Sequence, residues 1–220
     1  MFPAVSPEVL MEFCITLALI TGIFILACRK VETMVHLFAL QSLGLALIGF
    51  VSGIVHHSPN VWLVAVLTLS GKCLLIPLGL LWVARQIHPK VEIESHLTFP
   101  LSTLLGAVAC TLAFYITHYL QLHDSAAYSD LLGTFLSLLL LGLFTMTTHK
   151  NAMSEVMGLY MLDNGIFCLA TATIFEMPLI VEMGILLELL LSALVMGIWV
   201  FRIKRSFNSI NVEQLNQLRG

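Results

Sequence analysis

The sequence predicts an all-helical membrane protein of about seven transmembrane helices, and three observations carry that prediction. First, 59 % of its 220 residues are hydrophobic and only 10 % are charged, whereas a soluble domain carries about 25 % charged residues. Second, the apolar residues fall in runs of roughly 20, the length that crosses a bilayer. Third, a seven-span count places every basic residue but one on the same side of the membrane, as the positive-inside rule requires.

The spans are expected at roughly 9–28, 34–55, 61–85, 99–121, 130–148, 153–174 and 179–203. Chemical breaks separate them: RKVE (29–32), HHSPN (56–60), RQIHPKVEIESH (85–96), HDSAAYSD (123–130), HK (149–150) and FEMP (175–178). The opening MFPAVSPEVLMEF has neither a basic n-region nor a small-residue cleavage site, so no signal peptide is expected. Arg29, Lys30, Arg85, Lys90, Lys150, Arg202, Lys204, Arg205 and Arg219 all lie on one side of this arrangement. The opposite loops carry Glu8, Asp124, Asp130 and Glu176 and no Lys or Arg. The N-terminus is therefore predicted outside and the C-terminus in the cytoplasm, in a cytoplasmic (inner) membrane.

Several function classes are excluded. A net charge of −3 and a pI near 6.2 give no sign of nucleic-acid binding. The cysteines (14, 28, 73, 110 and 168) form no CxxC and stand at no metal-ligand spacing, so they are expected to fill space between helices. The eight histidines cluster near run ends, where an interfacial position accounts for them. SGKC (70–73) is not a phosphate loop, because position 66 is Val and Cys follows Lys72. Without a nucleophile–base pair, a metal cluster or a dinucleotide fingerprint, the chain is not expected to be an enzyme by itself or to hold a cofactor.

A weak internal repeat runs parallel along the chain. LLWVARQI (80–87) aligns with GIWVFRIK (197–204), and LFALQSLG (37–44) with LYMLDNGI (159–166), which matches Gln41 to Asp163. Spans 1–3 then correspond to spans 5–7. The chain divides into a first three-helix unit (1–96), a connecting fourth helix (97–129) and a second three-helix unit with a tail (130–220).

The exception to the charge rule is Lys72, which sits in the apolar run LTLSGKCLLIPLGLLW (67–82). It is about eleven residues from one end of its span, or roughly 16 Å at 1.5 Å per residue. A lysine stem reaches only about 6 Å, so the ammonium cannot snorkel to water. Such a position costs about 2.5–3.5 kcal/mol on insertion scales. Asp163 and Glu188 lie near the centres of spans 6 and 7, with Gln41, Tyr160 and Asn164 at similar depth. These groups are expected to face one another, a partner subunit or buried water. A static ion pair and a proton or ion path are both open from the sequence, and charged mid-membrane residues are usually functional. Desolvation disfavours both charges and pairing favours both, so the protonation states depend on the pairing. Pro77 removes one backbone donor and predicts a kink beside Lys72. Glu155, near the inner end of span 6, is a candidate entry point for protons.

KCLLIPL (72–78), GLYMLDNG (158–165), PLIVEMGI (178–185) and INVEQLNQLRG (210–220) resemble hydrogenase-4 component E, a membrane subunit of the formate hydrogenlyase type of complex. The C-terminal part is also similar to the K subunit of respiratory complex I and the C subunit of multisubunit cation/proton antiporters. The two membrane glutamates of those subunits align with Tyr160 and Ser192, one helical turn from Asp163 and Glu188. The resemblance implies a non-catalytic subunit of a proton- or sodium-translocating membrane arm. Its implied partners are antiporter-like membrane subunits and a peripheral hydrogenase module that holds the nickel–iron and iron–sulfur centres. A subunit of an ion-translocating complex without hydrogenase, and a structural scaffold, remain the alternatives.

Overall fold

The computed structural model describes residues 7–56, 65–66, 69–87, 95, 97–119, 126–150 and 152–173. The helices are α1 (Pro7–Ala27), α2 (Val31–His56), a π-helical turn (Gly71–Leu75) running into α3 (Ile76–Ile87), α4 (Phe99–Tyr119), α5 (Ala126–Thr148) and α6 (Ala152–Thr173). These fall on the first six expected spans. The seventh lies outside the described residues, together with Glu188 and the C-terminal tail.

Among the described residues, Val9–Ala27, Val31–Val51, Phe99–Tyr119 and Ser129–Thr148 are long and apolar enough to cross a membrane. α6 has the length, at 22 residues, but Glu155, Asp163 and Asn164 dilute its apolar character. Helix ends do not follow the apolar runs closely, because helical structure continues past hydrocarbon depth. α1 opens at Pro7, a residue suited to a first turn that needs no amide donor. α5 begins at Ala126, four residues before the apolar run, since Ala-Ala-Tyr is polar in setting but helix-compatible. α4 starts on Phe99-Pro100, and the Ser102 amide closes the first turn on the Thr98 carbonyl at 2.9 Å.

α1–α2 and α5–α6 are hairpins that pack side by side, α1 on α5 and α2 on α6. α4 covers α1 and α5, while the π-turn and α3 lie against α2. The core between the hairpins includes Ile25, Phe38, Leu45, Leu138, Leu141 and Met157. The outward face of α4 (Leu101, Leu104, Val108, Leu112 and Tyr115) is exposed, as a lipid-facing helix requires.

One end of the bundle is tied by polar contacts. The Arg29 guanidinium donates to the Leu97 carbonyl at 3.3 Å, and Ser95 Oγ to the Thr148 carbonyl at 3.4 Å. Arg29 and Lys150 therefore stand at the same end, as the charge segregation requires. His149 is buried here, with Nδ1 donating to the Thr145 carbonyl at 3.0 Å. Burial pushes its imidazole below the ordinary value of 6.5 and the Arg29 charge adds to this, while the hydrogen bond to the Thr145 carbonyl opposes it. The folded protein thus favours neutral His149. Its contribution to stability is complete above about pH 6.5 and is lost as pH falls from there through the lowered folded value. The melting temperature of the detergent-solubilised protein is expected to drop from about pH 7 to pH 5, and less in His149→Gln. An unchanged slope in that variant would assign the acid sensitivity to another group.

Candidate functional site

Most hydroxyls inside the helices are satisfied locally. Thr21, Thr117, Thr134, Ser137, Thr145 and Thr171 each donate to the carbonyl four residues back. A hydroxyl paired in this way needs no partner from another helix. A second set of polar side chains behaves differently and reaches between helices: Gln41, Lys72, Asp163 and Asn164.

Lys72 emerges from the π-turn. Ile76 donates its amide to the Gly71 carbonyl, five residues back instead of four. The widened turn precedes Pro77, which has no amide to offer the Cys73 carbonyl. One extra residue per turn re-aims the side chains that follow, and π-turns are frequent at functional positions. Here the turn buries Gly71 and Lys72, while Leu74, Leu75 and Leu78 face outward.

The Lys72 ammonium lies 2.7 Å from Asp163 Oδ2 on α6, in an ion pair whose side chains are 2 % and 28 % exposed respectively. The Phe167 ring, one turn further along α6 on the same face, has its centroid 5.7 Å from Nζ. The ammonium is therefore set against a carboxylate and an aromatic face supplied by one helix. Asp163, one of the two acids expected at this depth, is paired with Lys72, and Glu188 lies outside the described residues.

Beside the pair is a fully buried amide cluster. Gln41 Nε2 donates to the Ala18 carbonyl of α1 at 2.9 Å. Asn164 Nδ2 donates to Gln41 Oε1 at 2.9 Å and to Ser42 Oγ at 3.3 Å. Gly22, one turn after Ala18, makes room for this: a Cβ there would stand 3.2 Å from Gln41 Nε2. Tyr160 is buried one turn before Asn164, its ring 5.3 Å from that of Phe38.

The structure thus brings together Lys72, Asp163 and, in the adjoining layer, Gln41 and Tyr160. Glu155 is separate from them. It is exposed in the first turn of α6, where an acid also suits the helix N-terminus. Ser42 and Phe167 were not anticipated, although each stands at a neighbouring or i+4 position to a residue that was. Among the described residues, no three His, Cys, Asp or Glu side chains converge as a metal site. What the arrangement offers is a buried cation in contact with a partly accessible carboxylate.

No family model matches the chain, and no solved structure does. The uncharacterized protein Rv0085 of Mycobacterium tuberculosis is 30 % identical over 218 residues, spanning 96 % of this chain and 97 % of that protein. Hydrogenase-4 component E of Escherichia coli K12 is 22 % identical over 204 residues, spanning 93 % and 94 %. The Shigella flexneri protein of the same name matches to the same extent.

Proposed function

This chain belongs to the same family as Rv0085 of Mycobacterium tuberculosis, and we propose that it is a non-catalytic membrane-arm subunit of an energy-converting, hydrogenase-4-like complex. The observation that carries the proposal is the Lys72–Asp163 ion pair, joining the π-turn before α3 to α6. The full-length relation to hydrogenase-4 component E supports the kind of assembly. In this reading Lys72 and Asp163 take part in moving protons or sodium ions, or in coupling that movement to an electron-transfer reaction in partner chains. Glu188 belongs to the same reading on its sequence position alone.

The partners are antiporter-like membrane subunits and a peripheral nickel–iron hydrogenase module, which holds the metal centres. The chain lies in a cytoplasmic membrane with its N-terminus outside, an orientation supported by Arg29 and Lys150 sharing one end of the bundle. The duplication of spans 1–3 as 5–7 is part of the proposal. Two residue pairs aligned by the repeat also touch: Phe38 with Tyr160, and Ser42 with Asn164. Aligned residues meet in this way when two parallel helices are related by a two-fold axis along the membrane normal.

Purification of the tagged chain in mild detergent tests the proposal. Co-elution of a nickel–iron large subunit and of antiporter-like chains is expected. Co-elution of antiporter-like chains alone would replace the hydrogenase assignment with a cation/proton antiporter complex.

A further inference from the structure

We propose that Asn164 is a positioning residue that sets the rotation of α6 and thereby aims Asp163 at Lys72. The inference rests on the ion-path role proposed above for that pair.

The hydrogen-bond polarity of the amide cluster has only one solution. The Ala18 carbonyl can only accept, so Gln41 must present its amide nitrogen to α1. That leaves Gln41 Oε1 facing α6, where it can only accept in turn. Asn164 must therefore present Nδ2, whose two hydrogens serve Gln41 Oε1 and Ser42 Oγ. Flipping either amide would set like atoms against each other in a site closed to water. A cluster fixed in this way holds Asn164 toward α2 and, through Gln41, toward the backbone of α1.

Asp163 and Asn164 are consecutive on one helix, so their side chains project about 100° apart. Fixing one direction fixes the other. With Asn164 held at the α1–α2 side, the Asp163 carboxylate is turned to the π-turn and its Oδ2 meets Lys72 Nζ at 2.7 Å. The pair itself is a poor device for setting this rotation, because a lysine stem has four rotatable bonds and follows its partner. The anchor needed for a reproducible charge separation is instead in the short amides, whose Asn164 Nδ2–Gln41 Oε1–Nε2–Ala18 chain of hydrogen bonds ties α6 to α2 and α1. Asn164 touches no transported ion in this account and acts through Asp163.

The test uses the assembled complex in sealed vesicles and reads the pH profile of coupled ion movement. Asn164→Leu keeps the branched shape of the side chain and removes the anchor. It is expected to shift the profile by about one pH unit or more, because the carboxylate is no longer held against the Lys72 ammonium. Gln41→Leu, one step removed from Asp163, is expected to shift it in the same sense. The exchanged pair Gln41→Asn with Asn164→Gln keeps two amides and is expected to restore the original profile. If Asn164→Leu fails to assemble, Gln41→Leu decides. An assembled variant with an unshifted profile overturns the positioning role. Asp163→Asn separates this from the broader proposal: full coupling in Asp163→Asn removes the ion-path role itself, whereas lost coupling there with an unshifted Asn164→Leu removes only the role of Asn164.

Discussion

Lys72→Ala is expected to leave the chain inserted in the membrane yet reduce coupled ion movement by the assembled complex at least tenfold. Breaking a buried ion pair from one side costs about 3–5 kcal/mol, because the remaining charge has lost its counter-charge. Asp163 is 28 % exposed, so its carboxylate can be hydrated, and the cost here belongs at the low end of that range. Destabilisation and lost coupling would coincide in the single variant and could not be told apart. The double variant Lys72→Met with Asp163→Leu separates them. Replacing both members of a buried pair by apolar residues of similar volume is often neutral or stabilising by about 1–4 kcal/mol. The double variant is therefore expected to melt at or above the temperature of Lys72→Ala, and near that of the parent, while coupling stays lost. Full coupling in the double variant would show that the pair only holds the helices together.

The sequence makes Lys72 conspicuous because charge in hydrocarbon is expensive wherever its neighbours lie. That Asp163 meets it is a different kind of fact. Asp163 and Glu188 have similar depth, and depth is all that counting along a helix supplies. Pairing depends on the rotation of each helix about its axis, which the π-turn at Gly71–Leu75 changes for α3. Pro77 hints at irregularity there, but an ordinary kink and a π-turn have the same proline signature. Gln41 and Asn164 were visible as polar groups at the right depth. Their mutual bond and the Ala18 carbonyl beyond it were not, because a backbone acceptor carries no sequence mark. Phe167 was hidden for the opposite reason: one more aromatic in an apolar run looks like packing. The local back-bonds of Thr21, Thr117, Thr145 and Thr171 show why so many other polar residues mattered less than their number suggested.

Gly158→Leu is expected to abolish the folded chain, and Gly158→Ala to destabilise it by about 1–3 kcal/mol or slightly more, as overpacking does. α5 and α6 approach so closely that their backbones touch. A Cβ on Gly142 would stand 2.7 Å from the Gly158 carbonyl oxygen, and a Cβ on Gly158 the same distance from the Gly142 carbonyl oxygen and closer still to Met146 Cγ. Met146 could swing aside, but a helical carbonyl cannot, so the helices themselves would have to separate. Two turns along α6, a Cβ on Gly165 would meet the Phe135 carbonyl at 3.1 Å, so the same stripe of α6 is held at two heights. In a bilayer such packing supplies much of the drive for helix association, since lipid is as apolar as any leucine. Gly44→Ala is the control: its Cβ would be 3.4 Å from the Cys14 carbonyl and 3.6 Å from Leu17, an ordinary contact, and little change in melting is expected. The site makes the comparison more than a stability measurement. Asp163 lies between Gly158 and Gly165, so a helix pushed off α5 at Gly158 also carries the carboxylate relative to Lys72. Gly158→Ala that still assembles should therefore lose coupling out of proportion to its lost stability. If it melts like Gly44→Ala, the close crossing does not set the position of α6, and the amide cluster alone must hold Asp163 in place.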